Sequence, residues 1–262
     1  MATAAITGTV GDGATEAEIV AGTGTIVITL TDDTWVAAEG LPVTASLLVY
    51  YDSISSTITD DANGVSQWND ISGNNNHLVQ TDNSYKPAKT TAPGIGGSGT
   101  FTTVNFDGTD NFLSMTSGLA ITEAASLFVV LRPDNTTLDR TIVGGISDCY
   151  NTRVNSSNKV EILAADIASI GIGTTSVQFT NLQAMGITYT TDGFWQAYIN
   201  TSTDGSGTTN RTFAQNVTRA GAKASQLEPF DGDIAALVVY SAALSETDAG
   251  SVLQYLTTRY TG

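Results

Sequence analysis

The sequence has few of the residues on which many catalytic sites and covalent cross-links depend. Its 262 residues include one cysteine, Cys149, and one histidine, His77. A single cysteine excludes an internal disulfide, and no zinc-type spacing of cysteine and histidine is present. A Ser-His-Asp system would have to use His77, which lies in an asparagine-rich stretch, and the sequence has no Gly-x-Ser-x-Gly elbow. We therefore interpret His77 as a polar turn residue and Cys149 as a small buried hydrophobic residue.

Charged residues are also scarce, and basic ones most of all. They make up 14% of the chain, with 26 acidic against 10 basic residues and a formal net charge of −16. Such a surface repels the phosphates of nucleic acids and of anionic lipids, so we expect neither as a partner. No stretch approaches the roughly 20 apolar residues of a membrane-spanning helix. The start, MATAAITGTVGDG, lacks the basic and apolar regions of a signal peptide.

Short apolar runs separated by turn-forming residues fill the chain from about residue 45 onward. Runs such as SLLVYYD, SLFVVLR and GDIAALVVYS alternate with clusters of Gly, Asn, Asp and Ser. This pattern predicts an all-β fold, an antiparallel sandwich or barrel, because no helical segments of the length that a parallel α/β fold needs lie between the runs. SLFVVL and IAALVVY are apolar on both alternating faces, which predicts central strands packed between two layers.

One helix is predicted, and it is the last element of the chain. Ser245 is a good N-cap, and the acidic residues Glu246 and Asp248 suit the positive end of the helix dipole. An apolar stripe with helical spacing follows, which predicts that the helix packs on the sandwich. The stripe consists of Ala249, Val252, Leu253, Leu256 and Tyr260.

Residues 1–40 are predicted to form a separate unit. They contain two strand-like segments, AITGTV and TIVITLTDDTWVA, and so few strands cannot bury a core of their own. The segment must therefore pack on the main domain, on another subunit or on a larger assembly. Gly40 and Pro42 are breakers that mark a linker. We predict a leader over residues 1–40 and the main domain over residues 41–262.

Four segments of the main domain follow one another in a characteristic order: VSQWNDISGNNNHLVQ, TVNFDGTDNFLSM, GFWQAYIN and FDGDIAALVVYSAALSETDAGSVLQYLTTRY. Together they resemble the concanavalin A-like, laminin-G-like jelly-roll family over residues 45–262. The resemblance implies that the strand from Phe230 to Tyr240 lies inside the sandwich and that the helix after Ser245 covers one of its ends or edges. It does not imply one function, since this fold carries lectins, glucanases and structural modules.

Two of these segments contain predicted turns next to aromatic anchors. Trp68 precedes DISGNNN, and we expect its side chain in the core. Asp70, Ser72 and Asn74 are expected to hold the turn, because these residue types form hydrogen bonds with nearby backbone. In FDGTDN, Gly108 can take the positive φ that a strand–turn–strand connection needs. Both segments therefore predict tight connections between strands.

The residues give little support for catalysis. Glucanases of the resembled family use a Glu-x-Asp-x-Glu strand, whose alternation places both glutamates on one face. The nearest match is EILAAD, but Glu161 and Asp166 are five positions apart and would face opposite sides of a strand. The other glutamates are isolated or lie in predicted turns. We therefore predict that the protein is not an enzyme.

Two kinds of binding site are compatible with the predicted loops. The acidic turns DGTDN and DGD predict one structural calcium ion with Asp107, Asp110 and Asp233 as ligands, because hard cations bind carboxylate and backbone oxygens in loops. Ordinary solvated turn residues are the alternative. Tyr85 in DNSYKP and Tyr150 in SDCYNTR are candidate glycan-binding residues, since each is a loop tyrosine with amide and carboxylate neighbours.

The leader sequence ITGTVGDGATEAEIVAGTGTIVITLTDDTWV resembles a short module found ahead of varied domains in phage structural proteins and some bacterial surface proteins. It favours a non-enzymatic virion component, assembled in the host cytoplasm, that serves as a capsid decoration, fibre or tail protein. The leader would attach to other virion proteins, in an oligomer or assembly, and the jelly roll would bind host-surface glycans. The alternative is a free-standing or secreted, extracellular carbohydrate-binding module, and a glycan-active enzyme ranks third.

Overall fold

The computed structural model describes residues 40–121, 124–134, 138–145, 151–164, 168–209, 215–223 and 228–262. Residues 1–39 of the predicted leader lie outside these described residues. In chain order the strands are β1 (Leu47–Asp52), β2 (Ile58–Asp61), β3 (Gly64–Trp68), β4 (Leu78–Val79), β5 (Ala88–Pro93), β6 (Thr100–Asp107), β7 (Leu113–Ile121), β8 (Ala125–Pro133), β9 (Arg140–Gly145), β10 (Asn151–Val154), β11 (Val160–Ala164), β12 (Ala168–Ile172), β13 (Gln183–Tyr189), β14 (Phe194–Ile199), β15 (Ser202–Thr208), β16 (Gln215–Ala220) and β17 (Asp231–Tyr240). Helix α1 spans Glu246–Arg259, and two 3₁₀ helices span Asn83–Tyr85 and Ile95–Gly97.

These strands form two antiparallel sheets. The eight-stranded sheet has the order β15-β14-β13-β8-β17-β6-β5, with β1 paired to the second half of β17. The nine-stranded sheet has the order β12-β11-β10-β9-β16-β7-β4-β3-β2. Neighbours such as β17 and β6 are distant in sequence, as a jelly roll requires. The predicted antiparallel β-sandwich with one C-terminal helix is therefore confirmed.

Each central strand contributes to two apolar layers. Trp68 is fully buried in the main cluster between the sheets, as predicted, together with Val129 of β8 and Leu237 of β17. Successive side chains of a strand point to opposite faces. Phe128 and Val238 therefore point away from the main cluster, and they pack in a second cluster with helix α1. The prediction that both strands are covered on two sides is confirmed.

Helix α1 packs on the outer face of the eight-stranded sheet, over the internal strands β13 and β8. The Oγ atom of Ser245 accepts a hydrogen bond from the N–H of Asp248 at 3.1 Å, so the predicted N-cap is confirmed. The predicted apolar stripe is buried. The implied position at an end or an edge is wrong, because a stripe shows which side of a helix is buried but not which surface it covers. No helix of the described residues is long and apolar enough to cross a membrane.

The turn after β3 is held by the side chains that were predicted to hold it. Asp70 is buried, and its Oδ1 accepts hydrogen bonds from the N–H groups of Tyr50 and Ser72. Asn74 donates from Nδ2 to the carbonyl oxygen of Leu48 at 2.9 Å. The turn is therefore fastened to β1 as well as to its own backbone.

Candidate functional site

The outer face of the nine-stranded sheet is polar, and the strand register shows which side chains lie on it. Leu113 of β7 points into the core, so its neighbour Ser114 points outward. Arg219 of β16 pairs with Ser114 and shares that face. On β10, Val154 points into the core and Arg153 points outward. We call this outward surface, which carries Arg153 and Arg219, the polar face.

An aromatic pair and an arginine form one end of the polar face. The ring centroids of Tyr85 and Phe112 are 5.5 Å apart, and the guanidinium carbon of Arg219 lies 4.1 Å from the Phe112 centroid. Such a cation–ring contact is favourable by about 0.5–2 kcal/mol. Phe112 is buried, whereas Tyr85 is partly exposed. We call these three side chains the Tyr85 stack; the other predicted glycan-binding residue, Tyr150, lies outside the described residues.

The loop around Tyr85 is fixed by its own backbone and side chains. Oδ1 of Asp82 accepts a hydrogen bond from the N–H of Ser84 at 2.9 Å, which caps the 3₁₀ helix that ends at Tyr85. The N–H of Phe112 donates to the carbonyl oxygen of Tyr85 at 3.2 Å. Asp82, Asn83 and Ser84, the three residues before Tyr85, are exposed. The loop therefore presents an aromatic ring next to a carboxylate, an amide and a hydroxyl.

Further along the polar face, Arg153 joins two glutamates that are far apart in the sequence. Its Nε lies 2.8 Å from Glu161 Oε2, and its Nη1 lies 3.3 Å from Glu228 Oε2 and 2.6 Å from Asp139 Oδ2. Lys223 also pairs with Glu228, at 2.7 Å. Burial lowers the pKa of Arg153, but the three acidic partners outweigh that effect and raise the pKa above its ordinary value. Arg153 is therefore charged at neutral pH.

A continuous series of contacts connects the Tyr85 stack to Arg153. Nη1 of Arg219 donates to the carbonyl oxygen of Lys223 at 3.2 Å, and burial lowers the pKa of Arg219. The Lys223 side chain pairs with Glu228, which contacts Arg153. The contacts therefore run across the polar face from the start of β7 to β11. Sequence reasoning missed this arrangement, because its members come from separate segments that only the strand register brings together.

The two glutamates of this face are both paired with cations. Hydrolysis with retention needs two carboxyl groups about 5 Å apart, one of them held protonated as the acid. Glu161 and Glu228 approach the same guanidinium, which their sequence positions did not predict. Each of these carboxylates is already engaged by a cation. Asp166, the other residue of the EILAAD segment, lies outside the described residues.

Of the predicted calcium ligands, Asp107 is the last residue of β6 and Asp110 lies in the turn that follows. Oδ1 of Asp107 accepts hydrogen bonds from the N–H groups of Thr109 and Asp110, at 2.9 and 3.2 Å. Gly108 has a φ of 69°, so its predicted positive φ is confirmed. The Asp107 carboxylate thus stabilises its own turn.

The third predicted ligand, Asp233, lies inside β17 rather than in the predicted turn. Its side chain is 1% exposed. Its Oδ2 accepts a hydrogen bond from Nε of Arg132 at 2.9 Å, and its Oδ1 accepts one from the hydroxyl of Thr103 at 2.7 Å. Within the described ranges, no group of three or more His, Cys, Asp or Glu is arranged to hold a metal ion. The geometry therefore adds no support for calcium, which stays a prediction.

Two antiparallel sheets in this order, with a helix on one outer face, define the class of jelly-roll β-sandwiches. Solved structures are similar to this chain in fold. The binding domain of Paraclostridial Mosquitocidal Protein 1 is similar with a TM-score of 0.55 at 12% identity, over 80% of this chain and 52% of that chain. Domain 4 of AbnA, an extracellular arabinanase from Geobacillus stearothermophilus, was solved in complex with arabinotriose. It has a TM-score of 0.56 at 18% identity, over 80% of this chain and 98% of that chain.

A third similar structure is Trypanosoma rangeli sialidase in complex with sialic acid. Its TM-score is 0.54 at 12% identity, over 83% of this chain and 34% of that chain. This chain thus spans about half of the mosquitocidal binding domain's chain and about a third of the sialidase. At these identities the similarity shows a shared fold. No protein-family model matches the sequence, and no curated protein matches it.

Proposed function

We propose that this protein is a non-enzymatic, glycan-binding jelly-roll protein, and that the Tyr85 stack is where it holds the sugar. One observation carries the proposal: the partly exposed ring of Tyr85 is fixed against Phe112, beside the exposed side chains of Asp82 and Asn83. Binding sites of this kind combine an aromatic surface with a few well-placed polar groups. The apolar face of a sugar ring would pack on Tyr85, and its hydroxyls would bond to the carboxylate and the amide.

The similar structures support this proposal at the level of the fold. The arabinanase domain, which this chain matches over 98% of that domain's length, was solved with an oligosaccharide. The ion pairs of Glu161 and Glu228 with Arg153 and Lys223 support a role without hydrolysis, because the carboxylates that meet on the polar face are engaged by cations.

We further propose that the protein is a phage virion component, such as a capsid decoration, fibre or tail protein. The support is the resemblance of residues 1–40 to leaders of phage structural proteins, together with the small number of strands predicted there. In this proposal the leader attaches to other virion proteins, and the jelly roll binds host-surface glycans. A free-standing, extracellular carbohydrate-binding module is the second candidate, and the similarity to the arabinanase domain favours it.

Two measurements on the full chain separate these candidates. The purified protein is applied to a glycan array, and virions released from cells that express the gene are analysed by mass spectrometry. If the protein binds a glycan on the array and is also found in purified virions, both the glycan-binding proposal and the virion proposal are supported. Array binding without the chain in virions favours the extracellular module. A protein that binds no glycan on the array contradicts the proposed binding function.

A further inference from the structure

A cavity of about 560 Å³ lies beside helix α1, between β1, the turn after β3 and the last turns of the helix. Its lining includes Tyr50, Ile71, Asn74, Tyr255 and Arg259. The volume falls within the range of about 300–1,000 Å³ that is usual for small-molecule sites. None of these residues belongs to the Tyr85 stack or to the cluster around Arg153.

One wall of the cavity is a polar network that is neutral as a whole. Asp52 is fully buried, and its Oδ2 accepts hydrogen bonds from Nε of Arg259 at 2.6 Å and from the hydroxyl of Tyr50 at 2.9 Å. The hydroxyls of Tyr50 and Tyr255 lie 3.2 Å apart. Burial, and then the charge of Asp52, raise the pKa of Tyr50, so its hydroxyl stays protonated. The wall therefore offers hydroxyl groups and a guanidinium whose charge Asp52 balances.

Part of the hydrogen-bonding capacity of this wall is left for a ligand. Among the described residues, the side-chain bonds of Arg259 use Nε, to Asp52, and Nη2, to the hydroxyl of Ser55. The two N–H donors of Nη1 remain for an oxygen acceptor in the cavity. Because the Tyr50 hydroxyl donates to Asp52, the Tyr255 hydroxyl donates to Tyr50, and its oxygen can still accept a hydrogen bond from a ligand.

The lining of the cavity also includes apolar side chains. Ile71 lines it and is 40% exposed. Leu47, partly buried, and the ring of Tyr255 add further apolar surface. A ligand that fits must therefore carry both C–H groups and hydroxyl groups. The net charge of −16 disfavours an anionic ligand.

A saccharide ring carries both C–H groups and hydroxyl groups. We propose that the cavity beside α1 binds one unit of a neutral saccharide, as a second site that is independent of the Tyr85 stack. The ring packs against Ile71 and Tyr255, one of its oxygens accepts a hydrogen bond from Nη1 of Arg259, and one of its hydroxyls donates to the oxygen of the Tyr255 hydroxyl. A second depression of about 520 Å³ along α1 shares Tyr255, which gives a longer saccharide room to continue along the helix.

The test is a titration of the isotope-labelled full chain with glucose, galactose and arabinose, followed by NMR. We expect saturable shifts of the backbone amides of Ile71 and Asn74 with at least one of these sugars. Tyr255→Phe keeps the ring but removes the hydroxyl, and should weaken binding roughly three- to tenfold. Ile71→Arg places a long side chain at the exposed mouth of the cavity and should abolish the shifts without disturbing the core.

Tyr85→Ala is the matched control, because it alters only the proposed site on the polar face. The shifts at Ile71 and Asn74 should remain in this variant. The inference is overturned if none of the three sugars produces saturable shifts there, or if the shifts persist in Ile71→Arg. Shifts that are confined to the loop around Tyr85 would overturn the cavity site while supporting the proposed function, so the two proposals fail separately.

Discussion

Asp52 and Arg259 lie 207 positions apart in the sequence and form a buried ion pair, with Nε of Arg259 2.6 Å from Oδ2 of Asp52. The side chains are 0% and 7% exposed. The pair fastens the last turn of α1 to the end of β1. The hydroxyl of Tyr260 donates to Oδ1 of the same carboxylate, at 2.6 Å. The C-terminal helix is thus held to the sandwich by a charge contact as well as by its apolar stripe.

Removal of Arg259 should destabilise the protein strongly, because it leaves the Asp52 charge buried without its counterion. We expect Arg259→Ala to lower the free energy of unfolding by about 3–5 kcal/mol. The measurement is urea-induced unfolding at neutral pH. Gln254→Ala changes an exposed residue of the same helix and is the matched control, with an expected change within about 0.5 kcal/mol. Equal stability of the two variants would contradict this account of the pair.

Buried tyrosines should make the fold sensitive to alkaline pH. Burial, followed by the charge of Asp52, raises the pKa of Tyr50 and Tyr260 above the ordinary value of 10.0. The stability linked to these groups is fully present below that value. This stability is lost as the pH rises above 10.0, because the unfolded chain releases protons that the folded chain keeps. Each of these tyrosines should lower the free energy of unfolding by about 1.4 kcal/mol for each pH unit above that value.

Tyrosinate absorbance during an alkaline titration checks this prediction. The partly exposed tyrosines should ionise first, and the buried ones should ionise together with the loss of the native circular-dichroism signal. Tyr260→Phe should reduce the change in the free energy of unfolding with pH by about the amount that one tyrosine contributes. Ionisation of all tyrosines near their ordinary pKa in a protein that stays folded would refute it.

Packing of α1 on the face of the eight-stranded sheet can be tested at Gly186 of β13. A Cβ atom there would lie 2.5 Å from the ring of Phe128 and 3.5 Å from Leu253 of the helix. We expect Gly186→Ala to lower the free energy of unfolding by about 1–3 kcal/mol through overpacking. At Gly250 of the helix, a Cβ atom would meet no atom within 4 Å. Gly250→Ala should therefore raise the free energy of unfolding by up to about 1 kcal/mol, because alanine has the better helix propensity. Thermal unfolding of both variants measures the difference, and a neutral Gly186→Ala would contradict the close packing of Phe128 against Gly186 under the helix.

The sequence predicted the features that depend on residues close to one another in the chain. The N-cap at Ser245 depends on a few neighbouring residues, and the burial of Trp68 depends on its size and its place beside a turn. The residues of β8 and β17 are apolar on both faces of the strand, and this predicted two covered faces. A strand exposed on one side would carry polar residues there. These signals need no knowledge of strand order.

The contacts of the candidate site depend on strand order and register, which the sequence did not reveal. Glu161 contacts Arg153 because β10 and β11 are paired, and Glu228, from the segment between β16 and β17, contacts the same guanidinium. Asp233 was assigned to the acidic turn DGD, but β17 begins at Asp231, and Arg132 on the neighbouring strand β8 engages the Asp233 carboxylate. Tyr85 was selected for its polar neighbours, whereas its contact with Phe112 appears only in the folded chain.

The affinity of wild-type and Tyr85→Ala protein for the glycan that binds best on the array tests the central claim most directly. Calorimetry measures binding, and chromatography of the recovered glycan detects cleavage. Wild-type protein should bind the glycan and return it intact, and Tyr85→Ala should weaken binding roughly tenfold, which corresponds to about 1.4 kcal/mol of lost ring contact. Phe194→Ala, which removes an exposed ring from β14 of the other sheet, should bind like the wild type. Unchanged affinity in Tyr85→Ala, or a glycan cut by the wild-type protein, would contradict the account.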